Sequence, residues 1–312
     1  MSAVELLLTA VLAASSTGTV PQSRDAAFHS DSRLVLVPVT VTDRRAKTVE
    51  GLRAQDFSVF DNQAQQQIVS FGTDDAPCSV SIVLDVSGSM QKALVAAKGM
   101  LKVFFTTSNP GDDYLLLTVS TQPAAIPKFT TDLAALTESI DFTRPGGLTS
   151  LIDTAYLGLE RMREAQQPRR AMLILSDGVD NHSRYSQSEL MSLALEADVQ
   201  VYSMIFDNGM PGSDTVPFRP AMALKPWDQA RQRQGPEMLE KISAKTGGLS
   251  FHVRNDEEAR EALRKTSQAL RTEYLIGYQP SDSGSPGQWH QIRVKSSVPK
   301  VYVHSRNGYY SR

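Results

Sequence analysis

One carboxylate and two hydroxyl side chains follow an apolar run at close spacing. The run Ile82–Leu84 is followed by Asp85, Ser87 and Ser89. An apolar run of this kind predicts a buried strand, and the Asp-x-Ser-x-Ser pattern predicts a turn that leads into a helix. The three side chains would then gather at the carboxyl end of a strand, where open α/β sheets bind their ligands. Oxygen donors with little net charge suit a small hard cation such as Mg²⁺.

Two distant segments supply further oxygen donors. Thr149 follows the glycine-containing loop Pro145–Leu148, and Asp177 follows the apolar segment 172–175. In a doubly wound sheet this segment would be a strand beside that of Ile82, so that Thr149 and Asp177 could converge on the first turn. The alternative, that these residues only cap helices, does not explain why all three turns would lie on one edge.

The pattern of apolar residues divides the chain into three parts. Strand-like runs alternate with helical periodicity in the middle, which predicts parallel βαβ units, whereas both flanks are β in character. Neither flank could bury a core alone, so we expect them to pack together. The predicted fold is α/β, with a Rossmann-like, doubly wound, mostly parallel sheet and a smaller all-β module. The expected boundaries are 33–75 for the first β segment, 78–272 for the α/β domain and 273–312 for the last β segment.

Several connections can also be predicted. Residues 207–236 contain several Pro and Gly residues, which predicts a long insertion loop. Residues 281–287 predict a hairpin loop between two terminal strands. Ser186 and Glu189 fit a capping box at a helix start, and Asp256 is the expected cap of a later helix.

The bulk properties exclude some classes of partner and site. The 312 residues include 41% apolar and 21% charged residues, as is usual for a globular protein. The formal net charge of −2 gives no electrostatic reason to expect nucleic acid or an anionic membrane as partner. Cys78 is the single cysteine, which excludes an intrachain disulfide, and we expect a buried, inert thiol.

Residues 1–20 are expected to be a secretory signal peptide. A short apolar run from Val4 to Ala14 precedes small residues, although Glu5 stands where a signal would carry Lys or Arg. We therefore expect export to the periplasm or the outside, with a cytoplasmic location as the alternative. No other run is long enough to cross a membrane.

These segments together resemble a von Willebrand factor type A domain with a metal-ion-dependent adhesion site. Its three signature segments match Asp85-x-Ser87-x-Ser89, Thr149 and Asp177-Gly178. The resemblance implies that Ser87 and Ser89 ligate a divalent cation through their hydroxyls, and Thr149 directly or through water. It further implies that Asp85 and Asp177 act mainly through bound waters. The expected ion is Mg²⁺, with Mn²⁺ and Ca²⁺ as alternatives.

The flanks resemble more specifically the type A-related proteins abundant in Acidobacteria. The segments that carry this likeness are Val39–Asp43, Gly51-Leu52-x-x-x-Asp56-Phe57-Ser58-Val59, Tyr274–Tyr278 and Arg306–Tyr310. The chain departs from this pattern at Asp61-Asn62, where an Asp-Gly turn is common.

The resemblance implies metal-dependent protein binding, in which an Asp or Glu carboxylate of a partner protein completes the coordination of the ion. One alternative is an assembly subunit that associates with further copies of itself through the same site. A second alternative is a hydrolase built on Ser176, Asp177 and His182. We expect no catalysis, because no Gly-x-Ser-x-Gly elbow surrounds any serine.

Overall fold

The computed structural model describes residues 34–121, 123–206, 226–282 and 284–311. The expected signal peptide lies outside the described residues. Residues 33–312 form one compact unit. The strands are β1 Val35–Thr42, β2 Phe57–Asp61, β3 Ala64–Gln66, β4 Ile68–Asp74, β5 Cys78–Asp85, β6 Asp113–Val119, β7 Ala124–Ala125, β8 Arg169–Ser176, β9 Gln200–Phe206, β10 Ser250–Val253, β11 Glu273–Tyr278, β12 Trp289–Ser296, β13 Tyr302–Ser305 and β14 Gly308–Tyr310.

The helices are α1 Leu94–Thr107, α2 Leu133–Phe142, α3 Leu151–Arg161, α4 Gln187–Glu196, α5 Pro226–Thr246 and α6 Asp256–Arg271. Short 3-10 helices also occur, and one of them, Gly88–Gln91, follows β5 directly. Among the described residues, no helix is long and apolar enough to cross a lipid bilayer.

A six-stranded sheet in the order β10-β9-β8-β5-β6-β7 forms the centre of the α/β part. Its strands are parallel except for the short edge strand β7. Every residue of β5 is buried, because helices cover both faces of the sheet. Successive side chains of β5 point to opposite faces of the sheet. Ile82 packs in the buried cluster that includes α1 and α6, and Val83 packs in the buried cluster that includes α3, α4 and α5. The α/β prediction is confirmed.

The two flanks combine into two antiparallel sheets, in the orders β13-β1-β11-β4 and β14-β12-β2-β3. Each sheet takes strands from both ends of the chain, as in the pairs Val37 with Ile276 and Val59 with Val294. These apolar side chains share one buried cluster with Tyr274. Packing of the flanks against each other is therefore confirmed.

The turn between β2 and β3 is formed by Asn62 and Gln63. Asn62 and Gln63 have φ of 46° and 72°, so both central residues lie in the left-handed region that a two-residue hairpin requires. The Asn62 side chain also accepts a hydrogen bond from Gln291 N at 3.0 Å. Asparagine tolerates this conformation better than most residues, which lets the turn form without glycine.

Three predicted connections differ from the structure. Helix α5 begins at Pro226, inside the predicted loop 207–236, since proline is well tolerated in a first helical turn. The part of this loop before Pro226 lies outside the described residues. Residues 281–287 do not form a hairpin loop, because β11 and β12 belong to different sheets. The N-cap of α6 is Asn255, not Asp256, and its side chain accepts from Glu258 N at 2.9 Å.

Candidate metal centre

The parallel pairing of β5 and β8 places two carboxylates at one edge of the central sheet. Leu84 is opposite Leu175, so Asp85 and Ser176 end the two strands side by side and Asp177 follows. Ser176 Oγ donates to Asp85 Oδ2 at 2.6 Å, and Ser87 N donates to Asp85 Oδ1 at 2.9 Å. Both oxygens of Asp85 are thereby engaged, and its side chain is fully buried.

The hydroxyls of the first turn form a close pair. Ser87 Oγ and Ser89 Oγ are 3.0 Å apart. Ser87 is buried and Ser89 is exposed. Met90, between the turn and α1, is also buried and fixes the 3-10 helix to the core. One hydroxyl of the pair therefore faces the protein and the other faces solvent.

Asp177 has a buried oxygen without a donor. Its Oδ1 accepts from Val179 N at 3.0 Å, but its Oδ2 has no hydrogen-bond partner. Burial raises the pKa of Asp177, and the nearby Ser89 hydroxyl opposes this shift. A buried carboxylate oxygen without a partner is costly, and a cation beside it would remove that cost.

The second carboxylate has a similar electrostatic environment. Burial raises the pKa of Asp85 to about 6; the Ser176 and Ser87 hydrogen bonds oppose this shift, and the charge of Asp177 adds to it. Two buried carboxylates, of which Asp177 raises the pKa of Asp85, with two hydroxyls close by, fit the oxygen donors that a Mg²⁺-sized cation takes.

The loop that carries Thr149 is hydrogen-bonded to both the first and the third loop of this edge. The Thr149 N–H donates to Asn181 Oδ1, and its carbonyl accepts from the backbone N–H groups of Asn181 and His182, each at 3.0 Å. On the other side, Gly146 N donates to the carbonyl of Val86 at 2.7 Å. The loop that carries Thr149 is therefore fixed between the Asp85 turn and the Asp177 loop.

Residues that sequence reasoning missed hold these loops together. Ser176 points away from Asp177, as expected at a strand end, yet its hydroxyl reaches Asp85 on the neighbouring strand and accepts from Gly178 N at 2.9 Å. Asp180 Oδ2 accepts from Ile152 N at 2.8 Å, in the first turn of α3. Matching the ends of the two strands in register would have identified Ser176, because neighbouring residues of parallel strands share a face.

The donor set relies on hydroxyls more than on carboxylates. Within the described residues, no group of three or more His, Cys, Asp or Glu side chains is arranged to hold a metal ion. The geometry also gives Ser176 no histidine partner, since its hydroxyl is engaged by Asp85 and the backbone of Gly178. The arrangement of these residues thus suits cation binding and not activation of a serine.

A family model describes the part of the chain that carries these residues. Residues 80–179 match the von Willebrand factor type A domain. The chain contains a von Willebrand factor type A domain. The matched range of this type A domain includes Asp85, Ser87, Ser89, Thr149 and Asp177.

A relative of the chain occurs in Borreliella burgdorferi (strain ATCC 35210 / DSM 4680 / CIP 102532 / B31). This uncharacterised protein is 24% identical over 212 residues, which cover 64% of the present chain and 61% of the relative. The chain thus spans about three fifths of the length of this relative.

Solved structures similar to the chain include three bacterial proteins. Von Willebrand factor type A from Catenulispora acidiphila is 13% identical, with 90% of this chain and 74% of that one covered and a TM-score of 0.49. The vWF domain of a type V pili tip protein from Porphyromonas gingivalis is 13% identical, with coverage of 62% and 95% and a TM-score of 0.48. The conserved hypothetical protein BatB from Bacteroides thetaiotaomicron is 19% identical, with coverage of 62% and 98% and a TM-score of 0.47.

Proposed function

We propose that the chain is a metal-dependent protein-binding module. Ser87, Ser89 and Thr149 would hold a divalent cation, with Mg²⁺ as the expected ion, and Asp85 and Asp177 would orient its waters. The bound ion would supply a positive charge that attracts a carboxylate of a partner protein. The observation that carries the proposal is the buried Oδ2 of Asp177, which has no donor although the hydroxyl pair and a second carboxylate lie at the same edge.

The chemistry of the donors favours binding over catalysis. Neutral hydroxyls leave the charge of a cation uncompensated, so it would attract an external Asp or Glu. Three of the four oxygens of these carboxylates already accept hydrogen bonds, from Ser176 Oγ, Ser87 N and Val179 N, and so the carboxylates would position ligands and not act as bases. The resemblance to a type A domain implies an adhesive role, and such a role for the exposed Ser89 edge agrees with this donor set.

Replacing Asp177 tests the proposal directly. Asp177→Ala should abolish Mg²⁺ binding in calorimetry while the far-UV circular dichroism spectrum stays native. Asp113→Ala is a matched control, because Asp113 is also buried and its Oδ1 also has no partner, but it starts β6 at the opposite edge of the sheet. Unchanged Mg²⁺ affinity in Asp177→Ala would refute the site.

An assembly role through the same site makes a different prediction. If copies of the chain supplied the carboxylate to each other, light scattering would show oligomers that EDTA dissociates. If light scattering instead shows a monomer both with and without EDTA, self-association is ruled out. Binding to a different protein then remains the proposed function.

A further inference from the structure

In three described loops at the edge that carries the candidate metal centre, the exposed charged side chains are all cations. Three described loops form this edge: 86–92, 143–150 and 177–186. Each loop presents one exposed cation, namely Lys92, Arg144 and Arg184. The carboxylates of Asp177 and Asp180 in the third loop are buried and half-buried, respectively. We call the three cations the basic rim.

The basic rim is free to meet a partner. Within the part of the chain that the structure describes, Lys92 and Arg144 form no ion pair. The Nε of Arg184 lies 3.4 Å from Asp153 Oδ2, yet 89% of the Arg184 side chain is exposed. Three exposed cations, two of them without an ion pair, on a protein whose formal net charge is −2, create a local positive field beside the metal centre.

The backbone beneath the rim is firmly held. Lys98 Nζ donates to the carbonyls of Asp141 and Thr143, at 3.2 and 2.5 Å, immediately before Arg144. Asp153 Oδ1 accepts from Arg184 N at 2.8 Å, and from the next backbone N–H at 3.0 Å. A surface that is ordered before binding loses less conformational entropy when a partner docks.

Two of the same loops also carry an exposed apolar side chain each. Leu148 is 47% and Tyr185 is 40% exposed. The Tyr185 ring stacks on Tyr156, with centroids 3.9 Å apart and planes 6° apart, and Leu148 N donates to Thr121 Oγ1 at 3.0 Å. Rigid tyrosine and arginine side chains are frequent in the energetic centres of protein interfaces. An apolar residue of a partner fits these contacts better than a uniformly charged polymer does.

Resting on the metal-dependent binding proposed above, we infer that the partner presents an acidic protein segment at this edge. One carboxylate of the segment meets the cation, further Asp or Glu side chains meet Lys92, Arg144 and Arg184, and an apolar side chain packs on Leu148 and Tyr185. The basic rim would distinguish between proteins that all present a carboxylate, because acidic neighbours of that carboxylate add binding energy. Contact between the metal ion and one carboxylate does not distinguish between such proteins.

Two fluorescent peptides test this selection in the presence of Mn²⁺. The acidic probe is Glu-Glu-Leu-Asp-Leu-Glu-Glu, and the control probe is Gln-Gln-Leu-Asp-Leu-Gln-Gln, which keeps only the central side-chain carboxylate. Each exposed ion pair contributes only modestly, but three act together, so the acidic probe should bind about tenfold more tightly in fluorescence anisotropy at low ionic strength. High salt should remove this preference.

A charge-reversed triple variant separates the rim from the metal site. Lys92→Glu/Arg144→Glu/Arg184→Glu should lose the preference for the acidic probe, while calorimetry without peptide still detects Mn²⁺ binding. The control Arg44→Glu/Arg53→Glu/Arg293→Glu changes the same charge at exposed positions of the β module and should keep the preference.

The inference would be wrong, with the metal site unaffected, if the two probes bound equally well or if both triple variants had the same effect. It would also be wrong if heparin bound more tightly than the acidic probe and without any metal ion. A wild-type chain that binds no Mn²⁺ in calorimetry would instead refute the proposed function itself.

Discussion

Asp85 and Asp177 use their buried oxygens differently. Both oxygens of Asp85 accept hydrogen bonds, from Ser176 Oγ and Ser87 N, whereas Asp177 keeps one oxygen without a donor. Ser176 is therefore a positioning residue, because it connects Asp85 to the Gly178 backbone and fixes the distance between the first and third loops. The geometry of the candidate centre depends on this buried serine as much as on the predicted ligands.

Replacing Ser176 should weaken both the fold and the centre. Ser176→Ala leaves Asp85 Oδ2 and Gly178 N without a buried partner, which should lower the free energy of unfolding by about 2 kcal/mol. We also expect Mn²⁺ affinity, measured by calorimetry, to fall about tenfold, because each supporting hydrogen bond around a metal site commonly contributes on this order.

Ser81→Ala is the matched control, since Ser81 is buried on the neighbouring strand β5 and its hydroxyl has no partner. Its loss should leave stability and Mn²⁺ affinity nearly unchanged. Equal effects of the two substitutions would show that Ser176 does not position Asp85.

Helix α5 contacts the third loop of the centre through the backbone atoms of two glycine residues. Gly178 has φ of +81°, and a Cβ added to it would lie 2.6 Å from the carbonyl carbon of Gly235. A Cβ added to Gly235 would overlap the carbonyl oxygen of Gly178. Both residues must be glycine for the helix and the loop to approach this closely, so α5 fixes the position of the loop after Asp177.

Adding one methyl group to this contact should displace the loop. We expect Gly235→Ala to cost about 2 kcal/mol of stability through overpacking and to lower Mn²⁺ affinity about tenfold in calorimetry. Gly99→Ala in α1 has open space around it and should stabilise the protein by about 0.5–1 kcal/mol. Full Mn²⁺ affinity in Gly235→Ala would mean that α5 does not position the loop.

The α/β part and the β module share buried polar contacts at the opposite edge of the central sheet. Arg169, which begins β8, donates to Glu273 Oε2 at 2.9 Å, to the carbonyl of Ala76 at 2.9 Å and to that of Leu270. Glu273 begins β11 and also accepts from Gln200 Nε2. One buried ion pair thus joins the central sheet, the end of α6 and the first residue of the terminal β segment.

Breaking this pair should affect the whole molecule but not the metal centre. Arg169→Ala leaves a buried carboxylate unpaired, and we expect a loss of roughly 3–5 kcal/mol in chemical denaturation. Mn²⁺ affinity of the folded protein should persist, because Arg169 and Ser176 are separated by the length of β8, about 23 Å.

Arg264→Ala is the comparison for this ion pair. Arg264 pairs with Glu261 on the exposed face of α6, so its loss should cost less than about 1 kcal/mol. Equal costs for the two arginines would contradict a linking role for Arg169.

Much of the fold follows from the sequence because burial leaves a clear pattern. Apolar runs such as Ile82–Leu84 require cover on both faces, which predicted the parallel sheet and the neighbouring positions of Ile82 and Leu173. The flanks were harder to predict, because an isolated strand does not specify its partner. The pairing of β11 with β1 and β4, instead of with β12, is decided by long-range burial of Tyr274 and Ile276.

The sequence by itself predicted the central sheet and the candidate ligands, because residue type and position after a strand are local properties. These ligands are Asp85, Ser87, Ser89, Thr149 and Asp177. Only the tertiary structure decided that Ser176 supports Asp85, that Gly178 meets Gly235, and that each of the three loops keeps one cation exposed. These features depend on the register between strands and on close contact between distant segments, which no single stretch of the chain specifies.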